Sequence, residues 1–236
     1  MKKRLLSQLL RRKSDGDRES RRPWRGQSIV EFTLLLPLLL ILLSSLIEFG
    51  FALNEYLDLI DTGREVARYL SDQSPYLGDP TCDASEFRDD GFYEAGVLEL
   101  GRTLTRAGWI QLNASEDDMV ISVFSLKDND ADGDHDVVCR RPLSYMDSRS
   151  DGDCPGANGG NTGWRYFCND NSRFSNAEVA ARVSSISGAP NTGIVAVEIF
   201  YDYHMKLGLP WVTGIVGDTI TFHTYSFAPN PASEPE

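Results

Sequence analysis

The chain has 236 residues and a net charge of −12 at neutral pH. A chain of this length can hold one membrane segment and one modest domain with its own core. The charge is divided unevenly, because residues 1–25 carry ten Lys or Arg and three acids, a net charge of +7, so the remainder carries −19. An acidic body repels phosphates, which argues against nucleic-acid binding.

Residues 1–26 are predicted to be a basic cytoplasmic leader, followed by an apolar membrane segment. The run from Phe32 to Ile47 carries no charge, and residues 29–53 would be about 37 Å long as a helix, enough to span a bilayer. Pro37 is expected to bend this helix. A basic flank keeps its end in the cytoplasm. We therefore expect a single-pass protein of the cytoplasmic membrane with its C-terminal domain outside, the alternative being a cleaved secretory signal.

The helical pattern continues beyond the apolar segment. Between residues 53 and 72, apolar residues recur every three or four positions, and charged residues cover the other face. The sequence predicts one N-terminal helix over residues 27–73, with the transmembrane part in its first half. Glu48 ends the uncharged run and is expected to be solvated or to reach toward the lipid headgroups.

Residues 74–228 are predicted to form an extracytoplasmic domain. Helical spacing covers residues 92–109, and residues 176–186 form a short helix or strand. The predicted strands cover residues 119–126, 136–140, 192–205 and 218–227. A long helix followed by a small antiparallel sheet is an α+β fold, and the polar tail at 229–236 is expected to be disordered.

All four cysteines lie in the predicted extracytoplasmic domain: Cys82, Cys139, Cys154 and Cys168. An even number in an exported domain predicts two disulfides, for which three pairings are possible. The spacings fit no zinc module, so disulfides are favoured over a metal site.

The acidic segment 128–136 reads DNDADGDHD and has the D-x-D-x-D-G pattern that begins an EF-hand-type calcium loop. The expected ligands are Asp128, Asp130, Asp132, Asp134 and Asp136. Position twelve, where an EF-hand has a bidentate glutamate, is Cys139, so an acid from elsewhere, such as Asp147 or Asp151, would complete the shell. Calcium is therefore the expected cofactor, and a solvated acidic loop is the alternative.

The sequence holds no catalytic motif of a familiar kind and predicts no enzyme. The histidines are scattered, at His135, His204 and His223. His204 and His223 fall in strand-like segments and are expected to be packing or surface residues.

The stretch GQSIVEF, residues 26–32, resembles the processing site of Flp-type prepilins. In that family a peptidase cuts after the glycine and leaves glutamate as the fifth mature residue, followed by an aromatic residue. The corresponding residues here are Gly26, Gln27, Glu31 and Phe32. Residues 26–72 as a whole resemble the TadE-like family of minor pilins (pseudopilins) of tight-adherence systems, and residues 192–228 are loosely similar to that family's last strands.

The resemblance implies a minor pilin of a Flp-type pilus that assembles through its N-terminal helix. It implies that Glu31 pairs with the ammonium group that cleavage creates on a neighbouring subunit. The expected partners are a prepilin peptidase, other pilin or pseudopilin subunits, the pilus assembly machinery and membrane lipid. A Glu31 that lies near lipid headgroups is the simpler alternative for this residue. An uncleaved, membrane-anchored calcium-binding adhesin or sensor is the alternative for the chain, and a membrane-anchored hydrolase is a third hypothesis.

Overall fold

The computed structural model describes residues 25–75, 90–108, 110–129, 134–142, 163–186 and 190–235. Within them the helices are α1 (Arg25–Ser71), α2 (Asp90–Ala107), α3 (Asn176–Ser184) and α4 (Pro210–Val216). The strands are β1 (Asp118–Lys127), β2 (Asp136–Arg141), β3 (Trp164–Arg165), β4 (Thr192–His204) and β5 (Thr219–Pro229). A long apolar N-terminal helix is followed by an antiparallel sheet domain, which confirms the predicted α+β, pilin-like arrangement.

The chain divides into two compact units, Met1–Leu46 and Ile47–Glu236. In the first unit, the described residues form the apolar beginning of α1. In the second unit, the rest of α1 packs against the sheet domain through Leu59, Val66 and Leu70, none of which is exposed to solvent. Their spacing of seven and four residues places them on one stripe of the helix. The three-to-four pattern in the sequence also places Leu53 and Leu57 on the apolar face, but these two residues are 43% and 51% exposed.

The sheet is antiparallel throughout and has the strand order β2-β1-β4-β5. The short strand β3 pairs with β1 at Val120 and Ile121, next to the segment of β1 that pairs with β2. Strand β4 is central, and its residues 195–201 are buried on both faces. This burial explains why residues 195–201, apart from Glu198, are apolar or aromatic and do not alternate with polar residues.

Helices cover both faces of the sheet. The larger core cluster combines residues of α1 and α2 with one face of β1 and β4, including Ile121 and Val197. The opposite face packs against α3, for example through Phe124 and Val179. Because neighbouring strand residues point to opposite faces, both clusters draw on the same two strands.

Asp118, the first residue of β1, fixes the chain that follows β3. Its buried carboxylate accepts hydrogen bonds from the backbone N–H groups of Phe167 (2.8 Å), Asn169 (2.8 Å) and Asp170 (3.0 Å). Burial raises the pKa of the Asp118 carboxyl, and these hydrogen bonds act in the opposite direction. The sequence pattern indicates only a long loop over residues 142–171, because it does not show that a distant carboxylate organises part of it.

The prediction of a disordered tail at residues 229–236 is wrong. A 3₁₀ turn forms at Pro231–Ser233, and Asn230 is completely buried. The Asn230 side chain donates hydrogen bonds to the carbonyl oxygens of Leu70 and Gln73, both at 2.9 Å. These carbonyls lie at the C-terminal end of α1, and the Leu70 carbonyl also accepts from the Gln73 N–H at 3.1 Å. The backbone N–H of Asn230 donates to the Gly193 carbonyl at 2.8 Å, so polar contacts to α1 and β4 hold the tail in place.

Replacing Asn230 by alanine is expected to destabilise the domain by about 1–3 kcal/mol, because the completely buried Asn230 side chain would no longer donate to the Leu70 and Gln73 carbonyls. Thermal unfolding of the detergent-solubilised chain measures this loss. Asn54 is an exposed asparagine of α1, so Asn54→Ala is the control and should change stability by less than about 0.5 kcal/mol. Equal shifts for the two variants would contradict a structural role for the tail.

Candidate functional site: the N-terminal helix and its carboxylates

The predicted processing residues lie in the first turns of α1. The helix begins at Arg25, so the bond between Gly26 and Gln27 is in its first turn. Glu31 and Phe32 follow in the next turns, and both are exposed, Phe32 to 59%. The carboxylate and the aromatic ring thus both lie on the surface of this chain.

The apolar run of α1 is suited to a lipid or helical environment. The helix contains a stretch long and apolar enough to cross a membrane, none of which is buried within the protein. Its hydroxyl groups bond to the helix itself, since Thr33 donates to the Ile29 carbonyl at 2.8 Å and Ser45 to the Ile41 carbonyl at 2.9 Å. These bonds lower the cost of placing the hydroxyls in lipid. The long apolar helix thus indicates membrane anchoring.

Glu48 is buried, so the prediction that it is solvated or reaches toward the headgroups is wrong. It is 4% exposed. Its Oε1 accepts hydrogen bonds from the Tyr203 hydroxyl (2.6 Å) and the Lys206 N–H (2.7 Å), and its Oε2 accepts one from the Leu207 N–H (2.8 Å). A carboxylate can be buried only with such partners. Glu48 therefore joins α1 to the end of β4 and the residues after it.

Glu55 makes a second polar contact between α1 and β4, and we call the contacts of Glu48 and Glu55 the two joints. It is 3% exposed, accepts a hydrogen bond from the Tyr201 hydroxyl at 3.0 Å, and forms an ion pair with Lys206 at 2.7 Å. The Lys206 ammonium also lies 5.7 Å from the centre of the Tyr203 ring. The charge of Lys206 is thus neutralised by a buried carboxylate.

The two joints fix how α1 lies along β4. The carboxylates are seven residues apart, two turns on one face of a helix, and the tyrosines are two residues apart, on one face of a strand. Glu48 contacts Tyr203 near the end of β4, whereas Gly63 lies opposite Ile199, closer to the start of β4. The helix and the strand therefore run antiparallel, and the β4–β5 connection lies at the Glu48 end of the domain.

Sequence reasoning missed this arrangement, although a signal was present. The spacing between Glu48 and Glu55 matches a single helix face, and the alternating tyrosines of the sequence YDY at residues 201–203 match a single strand face. What the sequence alone does not supply is the pairing of two elements about 150 residues apart.

The predicted calcium ligands lie partly outside the described residues, where Asp130 and Asp132 fall. Of the others, Asp128 donates its backbone N–H to the Asn191 side chain at 3.0 Å. Asp134 and Asp136 are exposed. Among the described residues alone, no group of three or more His, Cys, Asp or Glu is arranged to hold a metal. Calcium binding stays a prediction.

The described cysteines, Cys139 and Cys168, are both disulfide-bonded. Cys82 and Cys154 lie outside the described residues, so the pairing stays a prediction.

The histidines take part in ordinary structural contacts. Their ring Nε2 atoms lie 3.2 Å from the Pro190 carbonyl (His135), 2.9 Å from Glu116 (His204) and 3.0 Å from Glu198 (His223). His204 is exposed at the end of β4, and His223 lies against the Phe200 ring on β4, with ring centres 4.5 Å apart.

Helix α1 contains the part of the chain that matches a known protein family. Residues 26–68 match the family model of TadE-like proteins. The N-terminal part of this chain is TadE-like. The match begins at Gly26, includes Glu31 and Glu48, and extends into the part of α1 that packs on the sheet. TadE-like proteins are structural and pilin-like rather than catalytic, and the match implies an association with the tight-adherence pilus machinery. No curated protein and no solved structure matches the chain.

Replacing Glu48 by alanine would leave the buried Tyr203 hydroxyl and two part-buried N–H groups without their acceptor and is expected to cost about 3 kcal/mol of stability. The backbone N–H groups of Lys206 and Leu207 should then exchange with solvent faster, which hydrogen exchange detects. Asp61→Ala, which removes an α1 carboxylate whose side chain is 76% exposed, is the matched control. Unchanged protection of both amides in the Glu48 variant would contradict the joint.

Tyr201 and Tyr203 are expected to resist ionisation. Burial, reinforced by the neighbouring carboxylates, raises the pKa of both phenols above the usual value. Because the raised pKa belongs to the folded state, their contribution to stability is complete below about pH 10 and falls as the pH rises further. In an ultraviolet titration, these two of the nine tyrosines should ionise only with unfolding. Tyr201→Phe should reduce the loss of stability above pH 10, and a single shared midpoint for all nine phenols in the folded protein would refute the expectation.

Proposed function

We propose that this chain is a minor pilin or pseudopilin of a tight-adherence, Flp-type pilus. The observation that carries the proposal is the TadE-like match over residues 26–68, which joins Gly26, the exposed Glu31 and the exposed apolar helix in one segment. In this proposal a prepilin peptidase cuts between Gly26 and Gln27 and removes the basic leader. The mature helix then packs among the helices of other pilus subunits.

The apolar surface of α1 supports assembly through this helix. Leu34, Leu38 and Leu42 are each more than half exposed, so the chain by itself does not cover them. Lipid covers such a surface while the subunit is in the membrane. Helices of neighbouring subunits can replace lipid there, because close packing between apolar helices compensates for lost lipid contacts.

Glu31 supplies the specificity in this proposal. A carboxylate near the start of a membrane helix is costly unless it is paired. Cleavage after Gly26 would create an ammonium group at Gln27 on each subunit, and Glu31 of one subunit would pair with the ammonium group of the next. Each of the two charges would then neutralise the other, which favours assembly.

The charge distribution supports the proposed orientation. The leader carries a net charge of +7, and positive residues beside a membrane helix favour the cytoplasmic side. The sheet domain would then lie outside the cytoplasmic membrane, a location compatible with disulfides at Cys139 and Cys168.

The processing step predicts the N-terminus of the mature protein. In cells that contain the tight-adherence peptidase, the membrane-extracted chain should begin at Gln27 by intact-mass analysis. Gly26→Val should keep residues 1–26, because a branched side chain replaces the glycine at the proposed cut. A wild-type protein that retains its leader beside a working peptidase would overturn processing and favour the uncleaved anchored protein.

Glu31→Gln is the matched variant for assembly. It should be cleaved normally but should enter sheared pilus fractions less than the wild type, because glutamine cannot neutralise the ammonium group. Asp61→Asn changes a carboxylate of α1 in the sheet domain and should be both cleaved and assembled. Normal assembly of the Glu31 variant would contradict the proposed pairing while leaving processing intact.

A further inference from the structure

The connection between β4 and β5 has an unusual composition for an exposed turn. Residues 205–217 read MKLGLPWVTGIVG, and Lys206 is their only charged residue. The ammonium group of Lys206 is already paired with the buried Glu55 at 2.7 Å. In an otherwise acidic domain, this segment therefore presents almost no net charge.

Several large apolar side chains of this connection are exposed. Leu207, Trp211 and Val216 are 40%, 43% and 54% exposed. The last two belong to α4, which begins with Pro210 and is closed at Gly217 by a hydrogen bond to the Thr213 carbonyl. A patch of this kind usually marks an interaction site rather than ordinary surface.

The position of the connection is fixed by Glu48. The N–H groups of Lys206 and Leu207 bond directly to the Glu48 carboxylate. Glu48 comes immediately after the uncharged run that ends at Ile47. The connection therefore lies at the level of α1 where the apolar run ends.

The exposed apolar surface of α1 continues past this level. Phe49, Phe51 and Leu53 are 62%, 45% and 43% exposed. The uncharged run from Phe32 to Ile47 gives only about 24 Å of helix, which is shorter than the hydrocarbon core of about 30 Å. A span of about 20 residues that contains this run ends between Ile47 and Phe51, so Glu48 and its donors lie within about one helical turn of the membrane boundary.

We propose that the β4–β5 connection, residues 205–217, lies in the membrane interface and contacts lipid. Tryptophan is enriched at this depth, where its ring meets acyl chains and its N–H meets the headgroups. This depth also explains why Glu48 has three donors, because a carboxylate there needs hydrogen bonds from the protein rather than from water. The sheet domain would thus rest on the membrane through a second contact beside α1.

This inference depends on membrane anchoring by α1 and not on cleavage or pilus assembly. A test with uncleaved protein in vesicles without a peptidase therefore separates it from the proposed function. Lipid is favoured over a second copy of the chain because Glu48 holds the connection at the end of the apolar run of α1. A second copy is nevertheless one of the outcomes that the test distinguishes.

The test uses the full chain in vesicles of phosphatidylcholine brominated near the headgroup end of its acyl chains. Trp24→Phe and Trp109→Phe leave two tryptophans, Trp211 and the buried Trp164, which is 1% exposed. Bromine quenches tryptophan on contact, so the Trp211 emission should fall about twofold relative to vesicles without bromine, as expected for an interfacial ring. Adding Trp211→Phe should abolish the difference between the two kinds of vesicle.

The matched control moves the tryptophan to another exposed apolar position. Leu98 on α2 is 65% exposed, and Leu98→Trp in the background lacking Trp211 should be quenched by aqueous iodide but not by brominated lipid. Equal Trp211 emission in the two kinds of vesicle would overturn the proposal. Trp211 emission that depends on protein density and not on bromine would overturn it in favour of a second copy.

Discussion

The carboxylate of Glu48, buried where the apolar run of α1 ends, is the constraint on which the rest of this structure depends. Glu48 cannot remain charged there without donors, and the chain supplies three of them from Tyr203, Lys206 and Leu207. To do so, β4 must run antiparallel to α1, and the β4–β5 connection must turn at the level of Glu48. Glu48 and its three donors consequently hold the sheet domain against the second part of α1.

The carboxylates at the two ends of the uncharged run have different partners. Glu48 is satisfied within its own chain, and its hydrogen bonds form when the domain folds. Glu31 is exposed and lies in the part of α1 that the sheet domain does not include. In the proposed function, this division assigns folding to Glu48 and assembly to Glu31, so that a subunit would be complete as a fold before it meets other subunits.

Much of the fold is predictable from the sequence because its signals are local. The stripe of α1, the composition of β4 and the alternation of β5 each lie within one element. The joints are not predictable in this way, since Glu48 and Tyr203 are 155 residues apart and each has an ordinary local context. The prediction of a disordered tail fails for the same reason, because Asn230 bonds to carbonyl groups at the end of α1, far away in the sequence. In the candidate site, the sequence identifies Glu31 by resemblance but does not identify the partners of Glu48.

The polar joints also explain why the domain can tolerate a membrane boundary. Lys206 carries the single charge of the β4–β5 connection, and its ammonium group is paired with the buried Glu55 at 2.7 Å. The same residue donates its backbone N–H to Glu48, so one lysine serves both carboxylates. A domain that ended in solvated loops on this side would have to stand away from the lipid. Because its polar groups are paired internally, this side can instead approach the membrane with apolar residues outward.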